Sequence, residues 1–94
     1  MFLTYILYSV TIDAYYVGST SDLMAERLRR HNSSHKGFTG RASDWIIAYT
    51  EAFPTKAKAL KREKEIKSKK SRTYIINLIS SAGSEHSGLQ PEGS

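Results

Sequence analysis

The chain has no cysteine, only two prolines, a single tryptophan, and no apolar run approaching the length a membrane-spanning helix needs. Without thiols there can be no disulfide and no thiolate zinc centre, and a reducing, cytoplasmic location is the default expectation. The apolar start, Met1 to Val10, lacks a basic lead-in and a small-residue cleavage site, and its tyrosines and serine suit a strand better than a signal peptide. Acids are also scarce. Nine Asp and Glu stand against fourteen Lys and Arg, a formal net charge of +5. That balance favours an anionic partner without choosing among nucleic acid, an acidic membrane surface and an acidic protein. Ninety-four residues make one small domain, and 39% hydrophobic with 24% charged residues is the composition of a folded globular one.

The distribution of charge is more informative than its sum. Residues 51–72 hold nine Lys or Arg against Glu51, Glu63 and Glu65, whereas the last 22 residues carry two glutamates and no Lys or Arg. Phe2 to Val10 reads as a strand, Thr11 to Ala14 as a turn and Tyr15 to Gly18 as the returning strand of a hairpin. A polar loop ending at Asp22 offers N-cap residues to a helix from Leu23 to Asn32. Ser33 to Asp44 reads as a loop, Trp45 to Thr50 as a third strand, and Lys56 to Lys70 as a basic helix opened by Pro54-Thr55. Ser71 is placed to cap a last helix through Ile79. The Ser/Gly-rich stretch beyond it holds too little apolar surface to repay its ordering entropy. The expected organisation is a folded domain over 1–80 with a disordered tail over 81–94. Its class is α+β, a small three-stranded antiparallel sheet flanked by helices in the order β-β-α-β-α-α.

Several residues sit oddly for structure alone. On the first helix Arg27 and His31 share the face of Met24 and Leu28, where an arginine either seeks an anion or snorkels past the core edge. On the basic helix Glu63 falls within the apolar stripe, where a carboxylate must be paired, protonated or bound to metal. Lys67, one turn on, is its simplest partner. Tyr5, Tyr8, Tyr15 and Tyr16 cluster on the hairpin, with Tyr5 and Tyr8 on opposite faces. His31 and His35 are four apart, but no third ligand is nearby to complete a zinc site.

Leu3-Thr4-Tyr5, Tyr16-Val17-Gly18, Arg27, His31 and Glu63, with the stretches YYVGSTSDL, RLRRHNSSHKGFTG, DWIIAYTEAF and ALKREKEIKSKKSR, resemble the GIY-YIG nuclease superfamily. The match runs from about Phe2 to Ile79. It is best to the short stand-alone bacterial domains, which are similar to the N-terminal domain of the UvrC repair nuclease. The resemblance implies catalytic roles for Tyr5, Tyr16, Arg27, His31 and Glu63. Glu63 would hold one Mg2+, for which Mn2+ can substitute, and a single carboxylate suits one ion better than two. It implies hydrolysis of phosphodiester bonds in DNA, structured or single-stranded, with low sequence specificity, by a monomer with no membrane role. Nucleic-acid contacts are expected from Arg27, Arg30, His35, Lys36, Lys61, Lys67 and Lys70.

The sequence departs from the pattern in three places. The first motif lacks its glycine and isoleucine, Arg27 follows Tyr16 by eleven residues where many relatives have ten, and the asparagine that some relatives place after the glutamate has only Asn77 as a positional counterpart. A binding module that keeps the cleft without cutting, and a protein-interaction domain whose basic helix meets an acidic partner, are the alternatives the residues leave open.

Overall fold

The computed structural model describes residues 1–33 and 37–87. Two β-branched and aromatic segments, β1 (Phe2–Ser9) and β2 (Ala14–Thr20), pair antiparallel with Tyr5 opposite Gly18 and Tyr8 opposite Tyr15. The chain reverses through Asp13, whose φ of 49° lies in the left-handed region that aspartate tolerates. A third strand, β3 (Ile46–Phe53), pairs antiparallel with the other side of β1, giving the order β2-β1-β3. Tyr49 faces Ile6 and Ile47 faces Leu7, so Ala48 is the extra residue of a bulge.

Strand periodicity divides the core in two. Tyr5 and Leu7 point to one face, where they pack with Trp45, Ala42, Tyr16 and, from α1 (Met24–Asn32), Met24 and Leu28. Ile6 and Val17 point to the other and pack with Ile66 of α2 (Lys56–Lys69) and with Tyr74, Ile75, Leu78 and Ile79 of α3 (Arg72–Ser87). Polar groups tie the layers together. Thr4 Oγ1 donates to the Ala59 carbonyl of α2 at 2.7 Å, and Asn32 at the end of α1 brackets the Trp45 backbone, accepting from its N–H at 2.7 Å and donating to its carbonyl at 3.1 Å.

The class and the element order agree with the sequence reading, while several boundaries shift. β2 continues to Thr20 because β1 begins early enough to pair Leu3 with Thr20, so Ser19 belongs to a strand and not to a loop. The N-cap of α1 is Leu23 and has no side-chain cap bond, in place of the expected polar cap ending at Asp22. A one-turn 3-10 helix, Phe38–Arg41, interrupts the expected loop, and β3 reaches Phe53. Thr55 caps α2, its side chain accepting from the Lys58 N–H, and Lys70 closes it in the left-handed conformation. The Ser71 hydroxyl accepts from the Tyr74 N–H at the start of α3, as a cap should. That helix runs on past Ile79 to Ser87, and residues 88–94 lie outside the described residues. None of the described helices is long and apolar enough to cross a membrane.

Candidate active site

The site begins with a residue that lacks a side chain. Gly18 lies opposite Tyr5, and a Cβ placed on it would stand 2.6 Å from the Tyr5 hydroxyl, 2.8 Å from the adjacent ring carbon and 3.0 Å from the Tyr16 ring. The two contacts with Tyr5 are closer than real carbon contacts allow, and the one with Tyr16 is tighter than most. Gly18 is therefore what lets the Tyr5 ring lie across β2 and deliver its hydroxyl to the far side of the strand.

There the Tyr5 oxygen, on a side chain with no solvent exposure, meets two partners from α1. Arg27 Nε donates to it at 3.3 Å, and His31 Nε2 lies 2.8 Å away. His31 is itself buried, with Nδ1 2.9 Å from Thr39 Oγ1. With the phenol oxygen accepting from Arg27, its proton is available to Nε2, and an imidazole protonated at Nδ1 then donates to Thr39. Thr39 is held in turn, its carbonyl accepting from Trp45 Nε1 at 2.8 Å. Burial pushes the Tyr5 phenol above its ordinary range, opposed in part by the Arg27 hydrogen bond, and that same bond pushes the arginine further up. Phenol neutral and guanidinium charged is thus the resting state.

Tyr16, two residues before Gly18, lines the opening. Its ring centroid is 5.0 Å from that of His31 and 6.3 Å from that of Tyr5. Together with Arg27, Arg30, His31 and Phe38 it walls a hollow of about 400 Å³. A second hollow of about 310 Å³ shares Tyr16 and Phe38 and is walled on its other side by Ile66, Lys67 and Lys70.

Glu63 approaches from the opposite face of the sheet. The buried side of α2 is marked by Ala59 and Ile66, 2% and 1% exposed, and not by Leu60, which is 37% exposed. At 100° per residue Glu63 lies about 40° from Ala59 and about 60° from Ile66. Its side chain is 17% exposed, and both oxygens are occupied. Oε1 accepts from Ser19 Oγ at 2.7 Å and Oε2 from Lys67 Nζ at 2.7 Å. Lys67 Nζ also stands 5.8 Å from the centroid of the Tyr16 ring, so α2 reaches round the β2 edge to the tyrosine cluster.

With this arrangement in view, the comparison with known families is decisive. The GIY-YIG catalytic domain model matches residues 1–75. The chain belongs to the GIY-YIG family. No curated protein and no solved structure matches it. The match spans both tyrosine motifs, α1, β3 and α2, and a GIY-YIG domain of this kind places the chain among nucleases.

Of the candidate residues, Tyr5, Arg27 and His31 form one hydrogen-bonded unit, and Tyr16 lines the hollow beside it. Glu63 lies across the β2 edge from them. Arg30 lines the first hollow, 3.7 Å from the Asp22 carboxylate, while Lys67 and Lys70 line the second. Lys61 is exposed on α2 and lines neither. His35 and Lys36 lie outside the described residues. Tyr8 and Tyr15 pair on the α3 side with centroids 4.8 Å apart; Tyr15 also lines the second hollow, and Tyr8 lines neither. Among the described residues no group of three or more His, Cys, Asp and Glu could hold a metal ion.

Ser19 and Thr39 were not singled out from the sequence. Each is a common residue whose partner is remote, at sequence separations of 44 and 8, and no local pattern marks it. For Ser19 one signal existed. It directly follows the motif glycine on a strand, so it faces the side opposite Gly18.

Proposed function

We propose that this GIY-YIG domain is a divalent-metal-dependent endonuclease that hydrolyses phosphodiester bonds in DNA with low sequence specificity. The observation that carries the reading is the buried Tyr5 hydroxyl joining Arg27 and His31 at the wall of a basic hollow. Hydrolysis of a phosphodiester needs an oriented water, a cation on the phosphoryl oxygens as charge builds there, and stabilisation of the leaving oxygen. Arg27 is the cation. Its Nε is fixed on Tyr5, so the planar guanidinium presents itself to phosphate in one orientation. Tyr5, wholly buried, acts as a positioning residue. Tyr16, with His31 behind it, orients the attacking water.

Glu63 fits a single divalent ion. One carboxylate plus waters and phosphate oxygens is an ordinary environment for Mg2+, and Mn2+ accepts the same donors. Ser19 fixes Oε1, while Oε2 is covered by an exposed lysine, a bridge worth about 0–1 kcal/mol that an ion can displace. Glu63 would hold such an ion, whose chemistry there would be charge stabilisation of the leaving 3′ oxygen.

Plasmid nicking and flap cleavage with Mg2+, Mn2+ and EDTA test the proposal. Glu63→Gln is expected to abolish cleavage while the fold holds and DNA binding stays unchanged or tightens, because a negative charge facing phosphate is removed. Cleavage that survives in Glu63→Gln protein free of contaminating nuclease would sink the one-ion assignment. The Lys67–Glu63 ion pair favours a second reading, a binding module without turnover. On that reading the wild type cuts nothing with either metal, and Glu63→Gln and Lys67→Met change stability modestly.

A further inference from the structure

Phe38 lies at the margin of the core, its ring centroid 6.0 Å from that of the buried Trp45, and has no assigned part in hydrolysis. It is 41% exposed, although the turn that carries it is rigidly held by the Trp45–Thr39 and Thr39–His31 hydrogen bonds. Gly37 just before it has φ 107°, a conformation that side chains resist, and it aims the chain into that turn. The Phe38 ring stands between the two hollows and within 19° of parallel to the Tyr16 ring, with centroids 6.3 Å apart. Each ring is accompanied by a cation. The Arg41 guanidinium is 5.3 Å from the Phe38 centroid, and Lys67 Nζ is 5.8 Å from the Tyr16 centroid.

An exposed phenylalanine alone would mean little in so small a domain. Paired near-parallel rings interleaved with cations, at the mouth of an arginine-lined hollow, have a more specific use. Proteins that hold single strands lay bases on aromatic faces while basic side chains meet the flanking phosphates. Within a duplex both faces of each interior base are covered by its neighbours, so away from the helix ends only an unpaired nucleotide can offer a face to such a ring.

We infer that Phe38 is a stacking platform for an unpaired base of a DNA strand, which makes strands with at least one unpaired nucleotide beside the bound phosphate the preferred substrate class. This rests on the nuclease reading for its consequence, but its test is independent of cleavage. In EDTA, a single-stranded oligonucleotide carrying 2-aminopurine is titrated with the full chain, alongside the same strand in a blunt duplex. Binding by the wild type should quench the probe in the single strand. Phe38→Ala and Phe38→Leu should lose the quench and bind the single strand about 5- to 150-fold more weakly, the scale of one lost base–aromatic stack. Duplex affinity and the salt slope should not move, and Phe38→Trp should restore quenching. Phe38→Leu keeps apolar bulk, so a loss there cannot be ascribed to a collapsed turn. Wild-type affinity in the alanine and leucine variants, no quench by the wild type, or a wild-type preference for blunt duplex overturns the platform. Quenching without cleavage in Mg2+ removes the nuclease reading and keeps the platform. Cleavage whose flap-over-duplex preference is unchanged in Phe38→Leu does the reverse.

Discussion

The two faces of the sheet are built from alternate residues of the same strands and do different work. Towards α1 the strands present Tyr5 and Tyr16, and the layer above them holds a chain of buried polar contacts from Arg27 through Tyr5 and His31 to Thr39. Towards α2 and α3 they present Ile6 and Val17, packed on Ile66 with, among the described residues, no buried ionisable group at the centre. Charge on that side is held at the rim, where Arg62 bonds Glu51 and Glu65 at 2.9 Å each and the Tyr74 hydroxyl at 3.3 Å. One face thus carries polar groups whose satisfaction depends on geometry, and the other supplies the apolar burial that keeps the geometry in place. Glu63 crosses this division, since it stands on the apolar side and reaches Ser19 at the β2 edge.

The sharpest way to break the comparison is to damage one face and read the other. Ile66→Ala should cost about 2–5 kcal/mol of stability, the range for truncating a fully buried isoleucine, with cleavage per folded molecule unchanged at low temperature. Arg27→Ala should do the converse, lowering turnover by about 10²-fold with a small change in the denaturation midpoint. Urea melts and single-turnover cleavage on both proteins check this. If Ile66→Ala loses catalysis in proportion to stability, the faces are not separable.

Gly18→Ala should touch stability and catalysis at once, because the added carbon must displace a buried ring on the α1 face. A loss of about 1–3 kcal/mol is expected, typical of overpacking, together with weakened DNA cleavage as the Tyr5 hydroxyl leaves Arg27 and His31. Combining it with Tyr5→Phe, which removes the nearest clashing atom, should recover part of the stability but none of the activity. Additive stability losses in thermal melts would argue that Tyr5 is not what Gly18 accommodates.

The smallest effect is expected at Asp44, which ties the loop after the 3-10 turn to the hairpin. Its carboxylate accepts from Ser9 Oγ at 2.5 Å, from the Thr11 N–H at 3.0 Å and from Thr11 Oγ1 at 2.9 Å. These bonds, the Ser9 hydroxyl foremost, hold the carboxyl below its ordinary value of 3.8. A lowered folded value means that stability is present above pH 3.8 and is lost as pH falls through the folded value. Asp44→Asn should therefore melt slightly below the wild type at pH 7, and the difference should shrink as pH falls below 3.8 and through the folded value. A constant gap across that range would show that the carboxylate charge plays no part.

Much of this protein is legible in local pattern. Period-two alternation places Tyr5 and Tyr8 on opposite faces, and helical spacing joins Arg27 and His31 to Met24 and Leu28. The same spacing puts Glu63 on the buried side of α2, although centred on Ala59 and Ile66 and not on Leu60. Such features follow from backbone geometry, which depends only on the order of residues. Boundaries were less legible. β2 runs through Ser19 and Thr20 because a partner strand is there to bond them, and α1 starts without a polar cap because Met24 and Leu28 are held by packing.

By itself, then, the sequence determined the class, the order of elements and the faces on which Tyr5, Tyr8, Arg27, His31 and Glu63 stand. Only the tertiary structure decided that Tyr5 would be buried as the shared partner of Arg27 and His31, that Thr39 would take the other imidazole nitrogen, and that Ser19 would hold the oxygen of Glu63 that its helical neighbour Lys67 leaves open. The reason is physical. Most of these bonds join elements far apart in sequence, and their distances are set by how the helices settle on the two sides of the sheet, which no local propensity encodes.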